Sequence, residues 1–103
     1  MTVIALLSVA PVIEDSMASE VAKAVDALDA HDVTYETNPM GTVIEAEDID
    51  SLLAAVASAH KAVDADRVST VLKIDDKRTS DRSASDKVAA VEAELGRDAV
   101  GGR

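Results

Sequence analysis

The sequence predicts an α+β domain, a four-stranded antiparallel sheet with two helices on one face and a further helix at the C-terminal end. Three observations carry this. The apolar period changes along the chain in the order strand, helix, strand, strand, helix, strand, helix. Asn38-Pro39-Met40-Gly41 is turn chemistry between the two middle strands. And 103 residues, 48% of them hydrophobic types, fill one core with no room for a second.

Thr2 to Val9 (TVIALLSV) is apolar on both faces and rich in branched side chains, which predicts a strand buried on both sides in the middle of a sheet. Ala10, Pro11 and the acidic pair Glu14–Asp15 break it. Ser16 is the expected N-cap of a helix running to about Ala30, with Met17, Val21, Ala24, Val25 and Leu28 on its core side. Val33 to Thr37 alternates as a strand, and Thr42 to Ala46 returns as its hairpin partner. Asp48 or Asp50 caps a second helix carrying Ile49, Leu52, Leu53, Val56 and Val63 on one face. Arg67 to Asp75 is a fourth strand, and Asp76 to Ser85 a polar connector. A last helix carries Val88, Val91 and Leu95, with Gly96 as its stop and a frayed tail at 97–103. The domain is thus expected over 1–96.

This βαββαβ order, with two right-handed crossovers, gives the ferredoxin-like plan with strands one and three at the sheet centre. One sheet face takes the helices. The other must meet water, the last helix or another subunit. If Pro39 and Met40 form the hairpin tip, Val33, Tyr35, Thr37, Thr42 and Ile44 share the helix side. Thr34, Glu36, Asn38, Val43 and Glu45 then share the open face with Ser69, Val71, Lys73 and Asp75. Carboxylates, an amide, hydroxyls and an ammonium beside valines suit a small polar ligand. The plainer reading is a solvated face in which Glu45 and Lys73 pair across strands.

Twenty Asp and Glu against ten Lys and Arg give a formal net charge of −10. Such a surface repels phosphate backbones, so nucleic acid is excluded as a partner, and Tyr35, the single aromatic residue, cannot build an RNA-binding sheet. The absence of cysteine removes disulfides, thiol nucleophiles and thiolate metal sites. No apolar run approaches the ~20 residues that span a bilayer, and the first residues lack a basic n-region, so a cytoplasmic location is expected. His31, at a helix-end turn, and His60, beside an apolar stripe, have no metal-ligand spacing and are expected to cap or pack. Met17 is expected in the core, and Met40, at a hairpin tip, against a ligand or a neighbouring subunit. An enzyme of this plan hydrolysing acyl phosphates needs an arginine in the loop after strand one, where Glu14 and Asp15 stand instead, and no phosphate-binding glycine loop is present.

NPMGTVIEA at 38–46, then AHKAV and RVSTVLKIDDKR, with VAPV and a serine between Val9 and Ser16, resembles the small thiamine-binding protein family related to YkoF, from the first strand to about Val91. The resemblance implies a ferredoxin-like fold, assembly as dimers or dimers of dimers, and non-catalytic binding of thiamine or its hydroxymethylpyrimidine part, with no cofactor. The candidate ligand residues are Ser8, Glu36, Asn38, Met40, Thr42, Glu45, Lys73 and Asp75. An aminopyrimidine presents adjacent donors and acceptors that carboxylate, amide and hydroxyl groups can pair, and the thiazolium cation is favoured near Glu36 or Glu45. With one aromatic ring per chain, any stacked site is completed by methionine, aliphatic side chains or a neighbouring subunit. The alternative is a structural or regulatory oligomer with no small ligand.

The acid is mostly aspartate, thirteen Asp to seven Glu, and apolar patterning runs throughout, which points to a folded, salt-adapted protein rather than a disordered one. Its thermal unfolding midpoint, followed by circular dichroism, is expected to rise from dilute buffer to molar KCl; equal stability in both would refute salt adaptation.

Overall fold

The computed structural model describes residues 2–102. Strand β1 spans Val3–Pro11, helix α1 Ala18–Ala27 followed by a 3-10 turn at Leu28–Ala30, β2 Thr34–Asn38, β3 Gly41–Ala46, α2 Ile49–Ala62, β4 Val68–Asp76 and α3 Ala84–Leu95. The sheet is antiparallel in the order β2-β3-β1-β4, so strands one and three are central and the fold is ferredoxin-like, as the element order predicts. The hairpin register is the expected one: Asn38 faces Gly41, Thr37 faces Thr42 and Glu36 faces Val43.

β1 alternates in burial. Val3, Ala5, Leu7, Val9 and Pro11 are buried under α1 and α2, while Ile4, Leu6 and Ala10 are half-buried and Ser8 is exposed on the other face. The run expected to be buried on both sides is therefore covered on one side within the chain. The core also takes Ala24 and Leu28 from the first helical segment, Ile44 and Ala46 from β3, and Leu52, Ala55, Val56, Ala59 and Val63 from the α2 region. On α2 the stripe is narrower than its sequence suggests. Ile49 and Leu53 are more than a third exposed, because alanines 55 and 59 share the inward arc with Leu52 and Val56 and let the helix sit close to the sheet.

Local chemistry sets the helix starts. Asp48, of the two candidate caps, holds α2: its carboxylate accepts the Ser51 N–H at 2.7 Å. α1 begins one residue later than Ser16 would place it. Met17 is the N-cap, the first helical bond runs from Val21 N–H to the Met17 carbonyl, and Ser16 Oγ accepts only a long 3.4 Å bond from Ala18 N–H. Ser83 and Asp86 form a reciprocal capping box at the start of α3, and Gly96 ends it in the left-handed conformation with φ 73°. The polar connector is correspondingly shorter than expected, with β4 reaching Asp76 and α3 starting at Ala84.

The two histidines tie elements together. His31 closes the 3-10 turn and pairs its Nε2 with Ser58 Oγ of α2 at 2.7 Å; His60 Nδ1 pairs with Thr70 Oγ1 of β4 at 2.6 Å. Glu20 of α1 accepts from Lys23 and, at 2.7 Å, from the Asp64 N–H after α2, which joins the two helices at one end. Both contacts hold the Glu20 carboxyl below its ordinary value. No helix among the described residues is long and apolar enough to cross a membrane.

Asp48 is held below the ordinary aspartate value mainly by the N–H it caps. A depressed carboxyl contributes stability above its unfolded pKa and loses it as pH falls through the folded one. Asp48→Ala is therefore expected to be less stable than the parent at neutral pH, with the gap in melting temperature closing below about pH 4; a gap constant with pH would show that the cap does not act through its charge.

Candidate functional site

β1 is longer than the strand beside it. Its pairing with β3 ends at Leu7↔Thr42, whereas its pairing with β4 continues to Pro11↔Val68. Ser8 to Ala10 thus present a strand edge with no strand partner on the β3 side, and that edge forms the floor of a cleft of about 210 Å³. The hairpin tip, 37–42, is one wall, and Met17, Val21, Ala24, Val25 and Leu28 of the first helical segment are the other. No ionisable side chain lines it. The polar groups available are the backbone edge, the Asn38 amide and the hydroxyls of Ser8, Thr37 and Thr42.

Two features shape the notch. Asn38 Oδ1 accepts the Met40 N–H at 2.9 Å, an Asx turn that fixes the tip and leaves Met40 79% exposed. Gly41, at φ 155°, lets the hairpin meet β1, since a Cβ there would lie 2.7 Å from the Leu7 carbonyl oxygen and 3.2 Å from Leu6 Cδ1. Met17, expected in the core, is instead 45% exposed because the helix entry turns it toward this opening. Two flexible thioethers therefore flank the cleft from opposite walls.

The eight residues singled out from the sequence fall into two overlapping groups, because Asn38 and Met40 also line an open-face cavity of about 710 Å³ with Lys73 and Asp75. Ser8, Asn38, Met40 and Thr42 line the notch. Thr42 reaches it from the helix side of the sheet, 5% exposed and bonded through Oγ1 to Thr37 Oγ1 at 3.0 Å. Glu36, Glu45, Lys73 and Asp75 lie on the open face, together with Ser8 and Asn38 by register. Glu45 and Lys73 are not a cross-strand pair, because β1 runs between their strands. Two of the three carboxylates there anchor α3: Glu45 Oε1 accepts the Ala84 N–H at 2.5 Å, and Asp75 takes the Lys87 ammonium, which holds the Asp75 carboxyl below its ordinary value. Glu36 faces a trough of about 560 Å³ between the β2–β3 hairpin and α3, beside Val43 and Val88.

The sequence reading missed Met17, Val21 and Val25 as a wall of the notch. The legible signal was the length of β1, an apolar run longer than the TVIEA segment that pairs with it. Among the described residues, no group of three or more His, Asp or Glu is placed to hold a metal ion.

The family model described as thiamine-binding protein matches residues 5–92. The chain belongs to the thiamine-binding protein family. A UPF0045 protein of Methanothermobacter thermautotrophicus is 51% identical over 83 residues, covering 78% of this chain and 84% of that protein. The crystal structure of protein MJ1052 of Methanocaldococcus jannaschii superposes with a TM-score of 0.81 at 36% identity, over 87% of this chain and 95% of the other. A Thermotoga maritima protein, TM0486, described as a candidate thiamine biosynthesis/salvage protein, shares the fold with a TM-score of 0.76 at 21% identity, over 88% and 99% of the two chains. Two of the segments that carry the family resemblance, the end of β1 and the Asn38–Thr42 hairpin, line the notch of this thiamine-binding family member, whereas the RVSTVLKIDDKR segment forms β4 and sets Lys73 and Asp75 on the open face.

Gly41→Ala is expected to push the hairpin off β1, lowering the melting temperature and opening the notch; hydrogen exchange should quicken at 37–43 and stay unchanged in α2. Wild-type protection of the hairpin in that variant would show that the close approach is not needed.

Proposed function

We propose that the protein is a cytoplasmic, non-enzymatic carrier or sensor that binds thiamine through its hydroxymethylpyrimidine part, with the pyrimidine ring in the notch. The observation that carries this is an uncharged cleft floored by an unpaired strand edge and walled by the Asn38–Thr42 hairpin of the family motif. An aminopyrimidine has an N–H donor beside a ring-nitrogen acceptor, and a free strand edge offers a carbonyl and an N–H in matching alternation. Met17 and Met40 supply the polarisable faces that a second aromatic ring would supply elsewhere. A cleft without charge suits the neutral ring and leaves the thiazolium outside, in the field of a chain carrying −10. Ser8, Asn38, Met40 and Thr42 are thus assigned to the ring, and the open-face acids Glu36, Glu45 and Asp75, with Lys73, to the surroundings of the cation and to assembly.

A second copy of the chain covers the open face in this reading. The radius of gyration is 15.1 Å, against about 13 Å for a compact chain of this length. The thin dimension is only 19 Å, the depth of one sheet and one helix layer. Val71 at 64% exposure, with Leu6, Val43 and the α3 stripe of Val88, Val91 and Leu95, leaves apolar surface on that side, which supports self-association.

Calorimetric titration with thiamine and with hydroxymethylpyrimidine in molar KCl, followed by light scattering on the same samples, tests both parts. Saturable heat with either ligand from a species heavier than the monomer is expected, weakened roughly tenfold or more by Met40→Glu. No heat with either ligand overturns the binding role and leaves the structural oligomer. Binding indifferent to Met40→Glu but lost in Glu36→Gln/Glu45→Gln would move the site to the open face.

A further inference from the structure

We infer that the protein carries a second site, for a phosphate-class oxyanion, at the end of the sheet opposite the notch. Five of the ten Lys and Arg lie between residues 73 and 87, although the chain as a whole is strongly acidic. Three of them, Lys77, Arg82 and Lys87, line one pocket of about 90 Å³ together with Ser80, Thr2 and Asp75. The pocket is small, with room for a tetrahedral anion.

The local geometry aims this charge rather than scattering it. The Ser80 N–H donates to the Lys77 carbonyl at 3.0 Å, and Ser80 Oγ accepts the Arg82 N–H at 3.2 Å. These bonds close a turn that brings Lys77, Ser80 and Arg82 to one pocket. Two neighbouring carboxylates are drawn elsewhere. Asp76 takes the Arg78 guanidinium at 3.5 Å, and the Asp86 carboxylate folds back onto the Ser83 N–H at 3.0 Å. Asp75 is the one carboxylate lining the pocket, and it is matched by Lys87. The charge of Lys77 acts on Asp75 across the pocket without a close ion pair between them, and Arg82 spends one guanidinium nitrogen on the Asp86 carbonyl at 3.3 Å. Among the side chains that line it, the pocket holds three cations against one carboxylate, an excess of two positive charges, in a molecule of net −10. That excess matches a dianion, and a planar guanidinium, a mobile ammonium and a hydroxyl can donate to three different oxygens of it. A monocarboxylate would leave one of the two charges unmatched.

The anion could be free phosphate or the phosphate of an ester, and the two share this recognition. The site stands apart from the notch, so its failure would say nothing about the ring-binding reading. The test is titration of the full chain with inorganic phosphate at fixed KCl concentration, read by calorimetry and by phosphorus NMR. One saturable site per chain is expected, displaced by sulfate but not by nitrate. Lys77→Gln/Arg82→Gln should weaken it roughly tenfold or more, and the charge-keeping Lys77→Arg/Arg82→Lys should retain it. Hydroxymethylpyrimidine phosphate then separates the sources: tighter binding than inorganic phosphate with displacement of it assigns the site to an ester, and no gain assigns it to free phosphate. Absence of saturation, equal displacement by nitrate, or affinity unchanged in the Gln variant overturns the proposal.

Discussion

The unequal pairing of β1 governs the molecule. It is bonded to β4 along nine residues and to β3 along five, so one strand serves both as the backbone of the sheet and as an open edge. The paired part brings α1 and α2 onto a common face through Val3, Ala5, Leu7 and Val9. The unpaired part can exist only because the hairpin stops short, and the hairpin stops where Gly41 touches the Leu7 carbonyl. A longer β3 would fill the cleft with backbone. A shorter β1 would remove its floor.

Most of the architecture could be read from residue order. Strand and helix periods gave the element sequence, Asn38-Pro39-Met40-Gly41 gave the register, and the register divided Glu36 and Glu45 from Tyr35 and Ile44 across the sheet. Two kinds of detail could not be read. Helix faces were misjudged where alanine does the packing: hydrophobicity points to Ile49 and Leu53, whereas closeness of approach selects Ala55 and Ala59. And the candidate residues are shared between a notch and the open face, where Asn38, Met40, Lys73 and Asp75 line one cavity, because sequence shows which residues share a strand face but not where one strand outruns another. Ser8, Asn38, Met40 and Thr42 meet at that mismatch, while Glu45 and Asp75 are taken up by a helix whose docking the alternation pattern does not encode.

The distribution of charge complements this geometry. The acids dominate the surface, yet the cleft between hairpin and α1 has none, and the chain's cations are concentrated around the turn before α3. An uncharged slot, an acidic exterior and a basic pocket are three different electrostatic environments within a single small domain.

The attachment of α3 has a dynamic consequence. The helix has no buried residue, and its hold on the sheet consists of the Ala84–Glu45 and Lys87–Asp75 contacts at its first turns. Its far end, around Leu95, is tethered by nothing comparable, so the helix is hinged at one end like a flap. Such a segment opens as a cooperative unit well below the free energy of global unfolding. Added salt pulls its two terms in opposite directions, weakening the ion pair while favouring burial of Val88, Val91 and Leu95 against any surface that offers itself. The attachment of α3 thus combines an electrostatic contact at one end with an exposed apolar stripe along its length, and the salt content of the solution acts on the two in opposite directions.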